Sequence, residues 1–329
     1  MLNIIYLKKT TGLPTDAVDT VNQSVFKNID SSRVNFVEEK NSLARLFSIW
    51  RLKPDYIFGI GNVSEVFYVL LKPKSTKYII GWHTRLRITK TWPIRSFLFR
   101  QADLVIGVSE CVVRTVTDHF PQKKAVAILN GVDTTFFNPE KTDEEYLNQK
   151  FNISFDRPII LFVGALFERK RPDIFIEVAK RYSKANFILV GRKGKKDFIT
   201  STQDLTNFQW IPSMDRKDIS IMMASADVFL FPSIDEPCAA VIPEALSSGL
   251  PALLSKSCGN KELIEHGISG FLVNQSEKEV SELIDYLDQL LTDKILLEKM
   301  GKAARERCVG ELNWEKVARK YQEVLLSQK

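Results

Sequence analysis

Short runs of β-branched and other apolar residues recur along the chain, separated by segments with helical spacing. In the first half they are NIIYL, RVNFVE, DYIFGI, KYIIGW, DLVIGVS and AVAILN; in the second, PIILFVG, NFILVGR, NFQWIP, DVFLFP, PALLS and GFLV. Strands of a parallel sheet are covered by helices on both faces, so they are apolar at nearly every position rather than at every second one. The pattern predicts an α/β chain with two Rossmann-like, doubly wound parallel-sheet domains of about six strands each. Between the halves, NGVDTTFFNPEKTDEEYLNQKFNIS is polar and holds an Asn-Gly turn and a Pro, which suits a linker near 131–155. At the end, Trp314, Val317, Tyr321, Val324 and Leu325 fall at helical spacing and predict a final amphipathic helix. The expected division is a domain over 1–150, a second over 151–310, and a closing helix over 311–329.

With 329 residues, 44% hydrophobic and 26% charged, the chain is long enough for two cores. No run reaches the ~18 apolar residues of a membrane helix, and MLNIIYLKKTTG lacks a basic-then-apolar signal with a small-residue cleavage site. A cytoplasmic location is expected. Cys111, Cys238, Cys258 and Cys308 show no C-x-x-C spacing and are joined by only three histidines, so neither a disulfide framework nor a zinc site is indicated.

The net charge of +6 is uneven. Residues 1–150 hold 21 Lys/Arg against 15 Asp/Glu, whereas 151–329 hold 25 of each. From Val66 to Ala102 there are eight basic residues and no acidic one. Such a field favours an anionic partner: a phospholipid headgroup, a phosphate-bearing acceptor or nucleic acid. No recognised nucleic-acid motif accompanies it, so nucleic acid is not expected. HTRLRITKTWPIRSFLFRQ interleaves Arg and Lys with Trp92, Ile94, Phe97, Leu98 and Phe99, the composition of an interfacial segment. Peripheral contact with an anionic membrane through residues 72–100 is therefore an expectation; the alternative is a solvated basic flank whose apolar face packs on the sheet.

Ligands of open parallel sheets bind outside the carboxyl ends of the strands, so the loops there are the places to look for chemistry. Gly59-x-Gly61-x-x-Ser64 approaches the dinucleotide fingerprint, but its third position is Ser and no acid follows where a ribose would need one. A plain tight turn is the better reading. After PIILFVG, the stretch ALFERKRPDIFIEVAKRY has Pro172 suited to the first helical position, with Lys170 between Arg169 and Arg171 just ahead of it. Free N–H groups, the positive end of the helix dipole and an ammonium make a diphosphate site, though a solvated basic turn fits equally well. In SIDEPCAAVIPEALSSGLP, Pro243 suits the first position of a short helix, which places Glu244 in its first turn, where the dipole keeps a carboxylate ionised. An ionised carboxylate accepts from the two hydroxyls of a vicinal diol such as a ribose. Glu236, in the preceding loop, could meet sugar hydroxyls or developing positive charge; the bland alternatives are a surface acid and a helix-dipole partner.

The stretch FLFPSIDEPCAAVIPEALSSGLP resembles the Glu-x7-Glu signature of glycosyltransferase family 4, a retaining family with the GT-B fold, two Rossmann-like domains facing across a cleft. KPDYIF, ADLVIGVSE, ILNGVDTTFFNP, ILFVGALFERKRPDIFI, NFILVGR, SADVFLFPS, LIEHGISGFLV and NWEKVARKYQEVL stand in the family's order. The resemblance implies a nucleotide-sugar donor whose ribose is held by Glu244 and whose sugar meets Glu236. Lys170 would stabilise the leaving diphosphate, with Arg169 beside it and Gly164 at the strand end. Backbone amides of Cys238, Ala239 and Ala240 would contact the sugar or its phosphate, and Ile211 the base. His83 matches a histidine that faces the donor sugar from the N-terminal domain, Gly12 a glycine-bearing loop over the phosphates, and the last helix would cross back to the N-terminal domain. Two departures stand out: the family usually has Arg at the position of Ala165, leaving Arg169 or Arg171 to substitute, and Pro237 has no N–H to donate.

The implied reaction is a retaining transfer to a glycan or lipid-linked acceptor, through a same-face route in which the departing phosphate takes the acceptor proton. No Asp-x-Asp pair occurs, so neither a metal nor another cofactor is expected. Two other readings share the architecture: a sugar-nucleotide epimerase and a non-catalytic nucleotide-sugar-binding subunit.

Overall fold

The computed structural model describes residues 1–7, 17–38 and 42–328. They divide into two compact units, Met1–Asn130 with Trp314–Lys329, and Gly131–Asn313. The first contains β1 (Leu2–Tyr6), β2 (Val34–Glu38), β3 (Tyr56–Gly59), β4 (Lys77–Trp82), β5 (Leu104–Gly107) and β6 (Ala125–Ala127), all parallel in the order β2-β1-β3-β4-β5-β6. The second contains β7 (Ile159–Val163), β8 (Asn186–Val190), β9 (Phe208–Ile211), β10 (Val228–Phe231), β11 (Ala252–Ser255) and β12 (Gly270–Val273), parallel in the order β12-β11-β10-β7-β8-β9. Each of the twelve apolar runs is a strand. Their continuous apolar character has the expected origin, since β3, β5, β7, β10 and β11 are buried at every position.

The core of the first unit is closed by the C-terminal helix Trp314–Leu326. Its Val317, Ala318, Tyr321 and Leu325 lie in one cluster with Leu2, Ile4, Tyr6 and Phe58, and the Tyr56 hydroxyl donates to the Leu325 carbonyl at 3.2 Å. Burying three such side chains contributes roughly 1.5–3 kcal/mol each, enough to anchor the end of the chain here.

The domain boundary differs from the expectation by some twenty residues. Segment 131–150 belongs to the second unit, not the first. Tyr146 donates to Asp218 at 2.7 Å and Lys150 at 2.8 Å, while the Arg305 guanidinium donates to the carbonyls of Thr134, Phe137 and Ser247. The polar character that marked this stretch as a linker comes from residues that pair across the second unit.

In the second sheet the chain leaves β7 toward β8 on one side and leaves β10 toward β11 on the other. The β7/β10 edge is thus the topological switch point, where diverging loops leave a crevice. Gly164 to Lys170 follow β7, and Ser233 to Glu244 follow β10. Both stretches singled out for chemistry emerge side by side at that point.

Candidate active site

The β7 loop is shaped by close backbone approach. Gly164 (φ +155°) donates to the Val190 carbonyl at 2.8 Å, and a Cβ on Gly191 (φ +158°) would sit 2.0 Å from the Gly164 carbonyl oxygen. Neither position accepts a side chain. A Cβ on Gly164 would also lie 2.8 Å from Lys170 Nζ, so the missing side chain is what lets the ammonium fold back over the strand end. Ile211, buried at the end of β9, joins the same edge by accepting from the Gly191 amide at 2.9 Å.

A 3-10 turn over Glu168–Lys170 precedes the helix Pro172–Arg181, with Arg171 at φ +51° as the joint between them. Pro172 opens the helix and Asp173 lies in its first turn. This joint sends three adjacent cations in different directions. Arg171 turns inward and makes a bidentate pair with Glu279 (2.9 and 2.6 Å), whose carboxylate also accepts from Ser255. Glu279 is only 2% exposed, so Arg171 is a structural counter-ion and is not available to substitute at Ala165. Arg169 turns to the β10 loop and ion-pairs with Glu236. Lys170 lies between, its ammonium 5.6 Å from the centre of the Phe231 ring. Burial pulls its pKa below the ordinary lysine value; Glu236 opposes that shift and Arg169 adds to it. A cation drawn out of water beside the start of the helix Pro172–Arg181 is the kind of group that can receive an anion.

The β10 loop is held by residues that sequence reasoning did not single out. Ile234 N–H donates to the Arg169 carbonyl at 2.8 Å, Glu236 N–H to Ser257 Oγ at 3.3 Å, and Gly259 N–H to the Glu236 carbonyl at 3.1 Å. Fully buried Asn260 donates to Ser233 Oγ at 2.7 Å and accepts from Ala239 N–H at 3.3 Å. The only signal for Ser257 and Asn260 was a cluster of small polar residues after an apolar strand. Of the three amides expected to meet the donor, that of Ala239 is thus already bonded inside the protein. Cys238 and Ala239 are buried, Ala240 is exposed, and Asp235 adopts φ +58° to turn Glu236 inward, where it is 8% exposed.

Glu244 departs from expectation in two ways. The helix runs over Val241–Ser247, so Pro243 is its third residue rather than its first. The dipole does not keep the carboxyl readily ionised: burial pushes its pKa up to about 7, against an opposing Arg216 whose Nη2 lies 3.9 Å from Oε1. Arg216 is itself held over the rings of Phe136 and Phe137 at 5.1 and 5.4 Å.

Lys170, Arg169, Glu236 and Gly164 are therefore brought together, with Ile211 on the same sheet edge. His83 follows β4 in the first unit and is half-buried. Gly12 lies outside the described residues. The Gly59-x-Gly61 turn is occupied from within: buried Glu65 accepts from the amides of Ile60, Gly61 and Asn62 at 2.9–3.1 Å and from the Tyr78 hydroxyl at 2.6 Å. A phosphate has no place in a cradle already filled by a carboxylate. Among the described residues no group of His, Cys, Asp and Glu has metal-site geometry, and no helix is long and apolar enough to cross a membrane.

The interfacial segment also reads differently in three dimensions. In the helix Trp92–Gln101, Leu98 and Phe99 are fully buried, Phe99 stacks on Phe120 at 5.5 Å, and Trp92 packs on His119 and Phe120. Phe99 also meets Trp82 of β4 edge-on, and Ile94 is the large apolar residue of this helix that stands exposed.

A sulfoquinovosyl transferase of Arabidopsis thaliana, SQD2, is 28% identical over 276 residues, covering 78% of this chain and 54% of its own. Spore coat protein SA of Bacillus subtilis is 27% identical over 236 residues, covering 65% and 62%. This chain thus spans between about half and three fifths of the length of these relatives. HepE of Anabaena, solved in complex with UDP and glucose, superposes with a TM-score of 0.78 at 19% identity, covering 99% of this chain and 100% of its own, which identifies the fold as GT-B. Residues 143–307 match the profile described as glycosyl transferases group 1. That match takes in half of the chain and both loops of the β7/β10 edge, and the chain belongs to the glycosyl transferases group 1.

Proposed function

We propose that the protein is a retaining, metal-independent glycosyltransferase of family 4 that moves a sugar from a nucleoside diphosphate sugar to a glycan or lipid-linked acceptor. The observation that carries the reading is the cluster of Lys170, Arg169 and Glu236 at the β7/β10 switch point, beside the N-terminus of Pro172–Arg181. The binding of UDP and glucose by HepE, a fold neighbour, supports the same choice of ligand.

In this reading the bond from the anomeric carbon to the diphosphate oxygen breaks while the acceptor oxygen bonds to the same face of that carbon. The acceptor proton passes to the departing phosphate, so the protein need not supply a base. Lys170 and the helix N-terminus hold the negative charge that develops on the diphosphate. Arg169 takes the part left open at Ala165, since Arg171 is committed to Glu279; on donor binding its guanidinium shifts from Glu236 toward phosphate. Glu236, released from that pair, faces the positive charge at the sugar carbon. Glu244 holds the ribose, Ile211 flanks the base, and the Gly164, Cys238 and Ala240 backbone lines the donor. His83 is the contribution of the N-terminal unit to catalysis. Acceptor binding is assigned to that unit because all the excess positive charge lies there, and an anionic membrane surface is part of the assignment. The reaction is placed in the cytoplasm, peripherally at the inner face of the membrane.

A thermal-shift screen with nucleoside diphosphates and their sugars tests the reading, followed by product analysis with acceptor in the presence of chelator. Stabilisation by one nucleoside diphosphate and transfer with retained anomeric configuration are expected. Accumulation of an epimer without acceptor, or donor binding with neither transfer nor slow hydrolysis, overturns it.

A further inference from the structure

Large apolar side chains that stand exposed are unevenly placed in this protein. Six of them, Phe47, Trp50, Leu52, Phe67, Leu70 and Leu71, lie on two helices of the first unit, Ser42–Leu52 and Glu65–Leu71. The helices are neighbours: the guanidinium of buried Arg45 lies 5.5 Å from the centre of the buried Tyr68 ring. Both cross in the same direction over the sheet, from β2 to β3 and from β3 to β4, so right-handed crossovers put them on the same face of it. Phe67, Leu70 and Leu71 follow i, i+3, i+4 spacing and Phe47 and Trp50 follow i, i+3, so each set forms one outward stripe. The inward stripe holds Arg45 and Ile49 on one helix and Tyr68 and Val69 on the other. A surface helix ordinarily turns its apolar stripe to the core and its polar stripe to water. Here the outward stripes are apolar as well, with Trp50 at 55% and Leu70 at 64% exposure, and such a patch marks a binding surface.

The surrounding charge says what it binds. Residues 42–102 contain eleven Lys/Arg and two acids. Both acids are committed: Asp55 accepts from the Asn3 amide at 2.8 Å, and Glu65 is buried in the β3 loop. Arg51, Lys53 and Lys74 stand exposed at the ends of the two helices. An apolar stripe of aromatic and leucine side chains, rimmed by cations and with no exposed carboxylate among residues 42–102, complements an anionic lipid surface.

We propose that the face formed by Ser42–Leu52 and Glu65–Leu71 docks the protein on an anionic bilayer, with Phe47, Trp50, Phe67 and Leu70 entering the headgroup boundary and Arg51, Lys53 and Lys74 against phosphates. This deepens the membrane part of the functional reading and moves the contact off the helix Trp92–Gln101, whose aromatic residues are packed inward. It is independent of the donor site.

Sedimentation of the full chain with vesicles of phosphatidylcholine, with and without phosphatidylglycerol, tests it. Wild type is expected to sediment with the anionic vesicles and to be released by salt. Trp50→Ser with Phe67→Ser is expected to weaken binding at least tenfold, and Arg51→Glu with Lys74→Glu by about fivefold per residue. Ile88→Ser with Ile94→Ser leaves binding unchanged. A Leu70→Cys variant carrying an environment-sensitive dye, read against labelled wild type, should shift to the blue on anionic vesicles and gives a readout that does not depend on the folding of the double variants. Failure of wild type to bind anionic vesicles removes membrane docking altogether while leaving donor binding untouched. Wild-type binding that survives Trp50→Ser with Phe67→Ser, or is lost in Ile88→Ser with Ile94→Ser, overturns the assignment to this face. A concentration-dependent dimer in ultracentrifugation that Trp50→Ser abolishes assigns the face to a second copy of the chain instead.

Discussion

Replacing Glu244 by Gln separates the ionisation of this side chain from its packing. Burial raises the carboxyl pKa from 4.5 to about 7 in the folded protein, so between those values the folded state holds a proton that the unfolded state has lost. Stability must therefore fall as pH rises through this window, and the penalty is complete above the folded pKa. A rise of that size corresponds to about 3 kcal/mol as an upper bound. The 24% of the side chain that reaches solvent keeps the penalty below that bound, and the Arg216 guanidinium at 3.9 Å favours the ionised form. Glutamine does not titrate. Denaturant unfolding at a series of pH values from 5 to 8 should show wild type losing stability relative to Glu244→Gln by up to about 3 kcal/mol, most of it between pH 5 and 7. Parallel stability curves would refute the burial argument. The same carboxylate is the proposed ribose acceptor, so donor hydroxyls bind its ionised form and draw a proton off it near neutral pH. Nucleoside diphosphate affinity, measured side by side so that phosphate ionisation cancels, should rise with pH from 6 to 8 in wild type relative to the variant. Loss of a charge-assisted hydrogen bond is worth about 1.5–3 kcal/mol, or roughly ten- to hundredfold in affinity at pH 8. Equal affinities would remove Glu244 from the ribose.

Lys170→Met should lower the rate of transfer by about 10²–10³, the loss typical of one preorganised charge donor, while leaving the unfolding midpoint near wild type because the ammonium is already poorly hydrated; transfer within a few-fold of wild type would contradict the role of this residue. Arg171→Met should behave oppositely. It strands buried Glu279 and should destabilise by roughly 3–5 kcal/mol, with stability restored in part by Glu279→Gln in the same chain; a stable single variant with impaired diphosphate binding would reverse the assignment of Arg169 and Arg171.

The strands were legible because a parallel strand buried on both faces needs an apolar residue at almost every position, a one-dimensional signal that is strongest in β3, β5, β7, β10 and β11 and weaker in the half-buried β2, β6 and β9. The start of the helix Pro172–Arg181 was legible for an equally local reason: Pro172 suits a first helical position. Two doubly wound sheets, and the loops after β7 and β10 as the place for anion chemistry, follow from that much. What separates Arg169 from Arg171 is not local. Both are arginines two residues apart in a basic turn, and a left-handed joint at φ +51° sends one to Glu236 in the next loop and the other to Glu279, more than a hundred residues away. The boundary at Gly131, the raised pKa of Glu244, the bracing by Ser257 and Asn260, and the inward packing of Phe99 likewise depend on partners distant along the chain. Sequence by itself determined which segments are strands and which loops carry charge, since both rest on the side chains of neighbouring residues. Only the tertiary structure decided which charges are neutralised, which are buried and which remain open to a ligand, because desolvation and pairing are set by residues that folding brings into contact.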